Sequence, residues 1–355
     1  MTNVLVTGGS GYLGGSLLAS WAGANITGYD KLYALVRSDS RAAAVKSLYD
    51  AEPVTCILEE DNIRHLVVDN DITVVFYLID AYRAERPVSF IKALGEVKKA
   101  TGREVHFTTG TKQFSEHAGA PTDKPLLDTD PNLYDIQRGQ KAPVEEMKVS
   151  SKGYSHQLRR IDAGEKFDVR MYLFSPCIVY GKGLGFGNLI SIQTVDVVTA
   201  AKGAGRVYRI GPEGQTWPVC HISNNTSLYI ALASAILDGS NPDHGKLGYY
   251  LASSGSASWD DIYAAVAKAM AKRGVIDDDT VAPVTDEALR KISDALNVEP
   301  ASAVSKVGGK STYTPGHGRK LGWSPRFPPS HIVDSLDDEV ELILESWTTK
   351  HQGIR

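Results

Sequence analysis

The sequence predicts an α/β fold in which a doubly wound parallel sheet is followed by a smaller C-terminal substrate-binding lobe. A short apolar strand opens the chain and runs directly into a glycine-rich turn. Near-continuous apolar runs then alternate with helical stretches, and this alternation changes character beyond residue 180. Apolar strands separated by helices are typical of a parallel sheet that is covered on both faces.

The elements of the first half follow from this alternation. The predicted strands are Val4–Val6, Leu32–Val36, Val54–Leu58, Thr73–Ile79, Val105–Thr108 and Val169–Phe174. The predicted helices are Ser16–Trp21, Ser40–Tyr49, Pro87–Thr101 and a stretch within Val144–Asp162. A polar loop at 115–131, rich in Asp and Pro, interrupts the pattern, and we interpret it as a lid or an insertion beside the site.

The second half begins with a glycine-rich connection at 181–187. The helices predicted after it are Asn188–Ala201, Ser227–Leu237, Ile262–Lys272, Asp286–Leu296 and Ile332–Trp347, with strands near Val207–Ile210 and Gly248–Ala252. We therefore divide the chain into a dinucleotide-binding domain at 1–180, with strands added from about 205–250, and a mostly substrate-binding lobe at 181–355.

The turn after the first strand has the glycine spacing of a dinucleotide-binding loop. Gly8 allows the sharp turn, Gly11 lets the backbone approach a pyrophosphate, and Gly14 lets the helix pack closely on the strand. The start of the helix then offers free amides and a positive dipole end to the phosphates. This pattern predicts a Rossmann-like fold. The residues predicted to contact the dinucleotide here are Thr7, Gly8, Gly11, Tyr12, Leu13 and Gly14.

The spacing T-G-x-x-G-x-x-G resembles that of the short-chain dehydrogenase/reductase superfamily, and most closely its extended and atypical branches, the NAD-dependent epimerase/dehydratase family. Three later segments, 175–181, 217–224 and 319–325, resemble the family elements P-x-x-x-Y-G, V-H-V-x-D-L and R-x-L-G-W-x-P. The resemblance covers residues 4 to 325 and is closest to a fungal-type atypical subgroup. It implies an NAD(P)-dependent oxidoreductase.

The end of the second strand indicates which dinucleotide is preferred. An acidic residue there binds the ribose 2′-hydroxyl of NAD, whereas an arginine accommodates the 2′-phosphate of NADP. The strand Leu32–Val36 ends at Arg37 and Ser38, and a guanidinium can fork onto a phosphate. We therefore predict NADP in preference to NAD. A strand at Asn25–Tyr29, which would end at Asp30 and indicate NAD, is the alternative, although its Asn, Thr and Gly suit a buried strand poorly.

Other cofactor contacts are predicted at the ends of later strands. The resemblance implies an acidic residue against the adenine, which Asp61 would supply, although a solvated acidic turn explains it too. Ile79 and Asp80 should lie beside the adenine ribose at the switch point of the sheet. The resemblance also implies that the backbone after Pro176, at Ile178, contacts the nicotinamide amide.

The residues for catalysis are less clearly marked. A Thr108 or Thr109 hydroxyl at the end of the fifth strand could hold a substrate oxygen or simply cap the strand. The family's Y-x-x-x-K pair, in which Tyr is the acid and Lys lowers its pKa, is not evident on the next helix. The groups that could supply the proton instead are Lys152, Tyr154, His156 and His221. Lys148, Lys152 and His156 share one helical face, which could point to the cofactor or to water.

Composition bounds the function. The net charge of −4 does not indicate the basic surface that nucleic-acid-binding proteins carry. No apolar run approaches the length of a membrane span. Three scattered cysteines and the absence of metal-binding spacings suggest a cytoplasmic protein with no metal. We expect a small-molecule substrate and leave the oligomeric state open, with a homodimer among the options.

Three functions fit these observations. The first is an NADP-dependent reductase or dehydrogenase that acts on a small organic carbonyl or a related metabolite. The second is a non-redox cyclase, isomerase or dehydratase of secondary metabolism, which the missing Tyr/Lys pair favours. The third is a non-enzymatic NAD(P)-sensing regulator. Fold by itself does not choose between them.

Overall fold

The computed structural model describes residues 2–79, 84–110, 114–141, 148–175 and 177–352, and for 148–157 and 349–352 it describes the backbone alone. In chain order the strands are β1 (Asn3–Thr7), β2 (Lys31–Leu35), β3 (Glu52–Val54), β4 (Ile72–Phe76), β5 (His106–Thr109), β6 (Leu126–Leu127), β7 (Arg170–Ser175), β8 (Ile178–Tyr180), β9 (Val207–Arg209), β10 (Thr216–His221), β11 (Tyr249–Leu251), β12 (Gly255–Ser258), β13 (Val281–Pro283) and β14 (Tyr313–Thr314).

The helices in the same order are α1 (Tyr12–Trp21), α2 (Asp39–Tyr49), α3 (Glu60–Asp69), α4 (Glu85–Thr101), α5 (Leu133–Gly139), α6 (Lys148–Phe167), α7 (Gln193–Ala204), α8 (Ile222–Leu237), α9 (Trp259–Lys272), α10 (Asp286–Leu296), α11 (Pro300–Val307), α12 (Gly316–Lys320) and α13 (His331–Gln352). Across the described part of the chain, none of these helices has the length and apolarity needed to cross a membrane.

A parallel sheet of seven strands, in the order β11-β7-β5-β4-β1-β2-β3, forms the centre of the fold. Its strands other than the edge strand β3 are buried on both faces, as Val4, Leu5 and Val6 in β1 show by having no exposed surface. The strand order reverses between β1 and β4, and in open α/β sheets ligands bind beyond the carboxyl ends of the strands at such a switch point. This arrangement confirms the predicted Rossmann-like α/β fold.

The second half builds a separate apolar core. A three-stranded sheet, β12-β10-β8, and a two-stranded sheet, β13-β9, pack with helices α7, α9, α10 and α13. Two elements of this half return to the central sheet. Strand β11 pairs with β7 at its edge, and α8 packs against α1.

Most predicted elements are present with shifted ends. The helix predicted from Ser16 begins at Tyr12, the helix predicted from Asn188 begins at Gln193, and Asp286–Leu296 is as predicted. The third and fourth strands differ more. The strand predicted at Val54–Leu58 is Glu52–Val54, and the strand predicted at Thr73–Ile79 ends at Phe76.

Helix α3 was missed because its sequence begins with three acidic residues that were interpreted as a turn. Glu59 is the N-cap, and Glu60 and Asp61 lie in the first turn. Negative side chains are favoured there because they complement the helix dipole. Buried Ile63, at 0% exposure, anchors the helix to the sheet.

The polar loop at 115–131, interpreted as a lid or an insertion, is tied to other parts of the chain. Its strand β6 pairs with β14, and the buried carboxylate of Asp128 then fixes the segment to two other parts of the chain. Asp128 accepts hydrogen bonds from the amides of Gly316 and His317, at 2.6 and 2.8 Å, and from that of Leu251 at 3.0 Å. A buried carboxylate with three donors holds its loop firmly.

Candidate functional site

The glycine turn between β1 and α1 has the backbone geometry of an anion cradle. Gly8 adopts φ +71°, a left-handed conformation that favours glycine, and its carbonyl accepts the Gly11 amide at 2.7 Å. A Cβ at position 14 would overlap that same carbonyl, so Gly14 allows the helix to approach the turn. The sharp turn and the close packing predicted for these glycines are therefore present.

The first turn of α1 fits a pyrophosphate. Its N-cap residue, Gly11, has no side chain that could cap the helix, and the first turn contains no acidic residue. The first amides of a helix lack partners within the helix, and the dipole favours negative charge at this end. The amides of Tyr12 and Leu13 are therefore suited to hold phosphate oxygens, as predicted from the sequence.

The Thr7 side chain links the two strands that flank the switch point. Its hydroxyl accepts the Leu78 amide at 2.8 Å and lies 3.3 Å from the Phe76 carbonyl, so it joins the ends of β1 and β4 at the switch point. Ile79, which follows Leu78 in the chain, lies against Gly8, and its side chain is 41% exposed. An exposed apolar side chain at this position is suited to pack on a nucleoside. Asp80, predicted beside the ribose, lies outside the described residues.

The end of β2 carries an arginine beside the glycine turn. The Gly9 amide donates to the Leu35 carbonyl at 3.3 Å, which places Arg37 and Ser38 next to this turn. Arg37 is exposed, and none of the described residues pairs with its guanidinium. Ser38 is the N-cap of α2, and no side chain caps that helix either. An unpaired guanidinium at a free helix N-terminus is suited to a phosphate group.

The alternative built on Asp30 is wrong. Residues 25–29 form no strand, and Asp30 directly precedes β2, at the end of that strand away from the glycine turn. Its carboxylate accepts the Thr2 amide there. Asp61 is exposed in the first turn of α3, so the helix dipole accounts for it without a ligand.

The two threonines that end β5 point to opposite faces of the sheet, because side chains alternate along a strand. Both are fully buried. The hydroxyl of Thr109 accepts a hydrogen bond from Arg160 Nη1 at 3.0 Å, and Arg160 is itself fully buried on α6. None of the described residues forms a hydrogen bond with the hydroxyl of Thr108. Arg160 therefore engages Thr109, whereas the Thr108 hydroxyl is buried and unengaged within the described part of the chain.

Arg160 is not among the residues that the sequence predicts for the site, although its position continues the helical row of Lys148, Lys152 and His156. Arg160 lies one helical turn after His156 and two turns after Lys152. Farther along the same row, Gly164 packs directly on Met171 of β7. This row of α6 therefore faces the sheet at 160 and 164. The side chains of Lys152, Tyr154 and His156 lie outside the described residues.

His221 has a structural role that does not suit the predicted proton donor. It is the N-cap of α8, and its Nδ1 accepts the Ser223 amide at 3.2 Å. Burial and the nearby His331 lower the pKa of His221 to about 4. The ring is therefore neutral near pH 7, with Nδ1 in the acceptor form that the cap requires. His221 is therefore not the proton donor that a free imidazole would be.

The remaining predicted contact, Ile178, lies in β8 and pairs with Val219 of β10, with its side chain buried in the second core. Pro176 lies outside the described residues. Among the residues that are described, no three His, Cys, Asp or Glu side chains are arranged to hold a metal ion.

No protein-family model and no curated protein matches this chain. Solved structures do. A UDP-glucose 4-epimerase from Thermus thermophilus in complex with NAD matches 96% of this chain and 99% of its own, with a TM-score of 0.60 and 15% identity. Vestitone reductase from alfalfa matches 98% and 99%, with a TM-score of 0.58 and 11% identity.

A dTDP-glucose 4,6-dehydratase from Bacillus anthracis in complex with NAD matches 96% of both chains, with a TM-score of 0.61 and 10% identity. At these identities the likeness shows the fold. The chain therefore has the fold of these solved enzymes, and membership of the short-chain dehydrogenase/reductase superfamily stays a prediction from its motifs. The fungal-type subgroup remains a prediction.

Proposed function

We propose that the protein is an NADP-dependent oxidoreductase that acts on a small organic carbonyl compound. The observation that carries this proposal is the pair formed by the glycine cradle and Arg37. The cradle offers uncapped amides to a pyrophosphate, and beside it Arg37 offers a guanidinium that no described residue pairs with. The solved structures of the same fold that contain NAD, an epimerase and a dehydratase, support a nicotinamide dinucleotide as the ligand.

The preference for NADP rests on charge at the end of β2. Arg37, the N-cap Ser38 and the uncapped start of α2 together offer a cation and hydrogen-bond donors to a 2′-phosphate. Asp39 is the acidic residue of this turn, and it follows the N-cap instead of ending the strand. The geometry therefore supports NADP, whereas the carboxylate that would favour NAD lies at the other end of β2.

The nicotinamide, when bound, supplies or accepts a hydride. The chain must then orient a carbonyl oxygen and move one proton. Thr108 carries the free hydroxyl at the end of β5, and we assign it the hydrogen bond to the substrate oxygen. The candidates for the proton donor are those that the sequence offers on α6, Lys152, His156 and Tyr154.

A second candidate function is a non-redox isomerase, dehydratase or cyclase on the same scaffold. The sequence of α6 favours it, because this helix carries lysines at 148 and 152 and no Y-x-x-x-K pair. A nucleotide-sensing regulator would need the cradle alone. These functions share the dinucleotide site and differ in what happens to the bound nicotinamide.

One experiment separates the three functions. NADPH and NADH are titrated by fluorescence, and a panel of aldehydes, ketones and their alcohols is then screened by nicotinamide absorbance and by product analysis. We expect tighter binding of NADPH and turnover that changes the absorbance. Product without net absorbance change would support the non-redox reaction, and binding without any turnover would support a sensor.

Two variants test the cradle itself. Gly11→Val places a branched side chain where the pyrophosphate would lie, and we expect it to abolish dinucleotide binding. Gly23→Ala is the matched control, because nothing lies within 4 Å of a Cβ at that position. Unchanged binding in a folded Gly11→Val protein would rule out the assigned site.

A further inference from the structure

One peptide group, that of Gly181, is held by two distant parts of the chain. Its carbonyl accepts a hydrogen bond from the Tyr12 hydroxyl at 2.6 Å, and Tyr12 is the first residue of α1. Its amide donates to Glu339 Oε2 at 2.7 Å, and Glu339 lies on the last helix, α13. Gly181 adopts φ +92°, and a Cβ there would overlap the His221 ring, so glycine is required.

The other carboxylate oxygen of Glu339 binds the far end of the same connection. Thr194 Oγ1 donates to Glu339 Oε1 at 2.7 Å, and Ser191 Oγ donates to it at 3.1 Å. Glu339 is only 4% exposed. A single buried carboxylate therefore joins both ends of segment 181–194, which we call the strap. Fixing both ends of a loop removes most of its conformational freedom.

The middle of the strap lies on the first turn of α1. A Cβ at Gly183 would lie 3.0 Å from the Tyr12 ring, and a Cβ at Gly185 would lie 2.8 Å from the backbone of Gly15. The Asn188 amide donates to the Ser10 carbonyl at 3.0 Å. The alternating glycines of the strap thus allow direct backbone contact with the dinucleotide turn.

The strap leaves the phosphate-facing amides free. Besides the bond from the Tyr12 hydroxyl to the Gly181 carbonyl, the strap donates to the Ser10 carbonyl, to the Tyr49 hydroxyl from the Phe186 amide, and to the Ser16 hydroxyl from the Leu184 amide. The strap therefore supports the turn from one side and does not occupy its anion cradle.

We propose that Glu339 is a positioning residue for the dinucleotide site, which it preorganises by holding the strap against the first turn of α1. The proposal rests on the proposed function only in taking the ligand of that turn to be a nicotinamide dinucleotide. A site whose backbone is held in the bound arrangement loses less conformational entropy on binding. The last helix of the chain therefore contributes to affinity at the first turn without touching the ligand.

The test compares variants of the full chain. Glu339→Leu removes both carboxylate oxygens at similar volume. Glu339→Gln keeps an oxygen that can accept from the Gly181 amide, and its side-chain NH2 group can donate to the Ser191 and Thr194 hydroxyls. Glu341→Gln is the matched control, because Glu341 lies exposed on the same helix and pairs with the partly buried Arg273 at 3.1 Å. Dinucleotide dissociation rates and amide exchange of residues 182–192 are measured for each.

We expect Glu339→Leu to speed NADPH dissociation about tenfold and to raise amide exchange across the strap. Glu339→Gln should restore most of both, and Glu341→Gln should change neither. Adding Tyr12→Phe to Glu339→Leu should add little, because both bonds act through the same peptide. If Glu339→Leu does not fold, the pair Ser191→Ala and Thr194→Val frees the far end of the strap and should give the same two changes.

Two results would overturn the proposal. Faster strap exchange with unchanged NADPH dissociation would show that the strap does not act on the site, while leaving the dinucleotide assignment intact. Absence of dinucleotide binding by the unmodified protein would instead remove the proposed function, and the coupling with it.

Discussion

Arg160 and Thr109 form a hydrogen bond, Nη1 to Oγ1 at 3.0 Å, between two side chains that are both fully buried. A buried guanidinium is costly unless it is well satisfied, so this contact constrains both α6 and the end of β5. This contact also distinguishes Thr109 from Thr108, which are equivalent candidates in the sequence. Thr109 is held by an arginine, whereas none of the described residues bonds to the Thr108 hydroxyl.

The two threonines should therefore respond differently to the same substitution. Thr109→Val removes an acceptor of Arg160 and should lower the free energy of unfolding by about 1–3 kcal/mol. Thr108→Val removes a hydroxyl that bonds to no described residue and should change it by less than about 0.5 kcal/mol, yet abolish turnover. Urea denaturation and steady-state rates measure both. Equal destabilisation by the two variants would contradict this assignment.

Arg37 should discriminate between the two dinucleotides. Arg37→Ala should weaken NADPH by about 1.5–3 kcal/mol, because a charged hydrogen bond is lost, and leave NADH nearly unchanged. Lys31→Ala is the matched control, since Lys31 is an exposed cation at the opposite end of β2. Fluorescence titration gives both affinities. A protein that already binds NADH more tightly than NADPH would overturn the preference.

His221 should matter for stability before it matters for chemistry. His221→Ala removes the N-cap of α8 and should cost about 0.5–2 kcal/mol of unfolding free energy. His221→Asn keeps a capping side chain and should retain most of that stability. Thermal melts and turnover are compared in both variants. Full stability with lost activity in His221→Asn would restore the imidazole as a participant in catalysis.

His106 should make the protein sensitive to acid. Burial lowers the pKa of His106 from 6.5 to about 3, and its Nδ1 lies 3.0 Å from the Tyr172 hydroxyl. Because the unfolded state takes up a proton first, this stability is fully present above pH 6.5 and is lost as pH falls toward 3. The loss amounts to at most about 5 kcal/mol.

The check is the pH dependence of the unfolding free energy. His106→Gln keeps a polar side chain at this position but cannot titrate, so its stability should fall less steeply between pH 6.5 and 4 than that of the unmodified protein. His244→Gln is a useful comparison, because His244 packs on the same Tyr172 ring. Parallel pH profiles for the unmodified protein and His106→Gln would exclude His106 as the cause.

Local sequence was sufficient where the determinant was local. The turn Gly8–Gly14 is recognisable because backbone conformation and close packing exclude side chains at fixed positions. The helix Asp286–Leu296 follows from its periodicity. Helix α3 was missed because an acidic first turn and an acidic surface turn have the same sequence.

The sequence by itself determined the alternation of strands and helices in the first half, the glycine cradle and the arginine that follows β2, because spacing along the chain encodes each of them. Tertiary structure alone decided which threonine meets Arg160, which end of β2 carries Asp30, and that Glu339 holds Gly181 across 158 residues. Such contacts depend on how elements pack against one another. No local pattern records them, since the energy that selects them is gained only when distant surfaces are buried together.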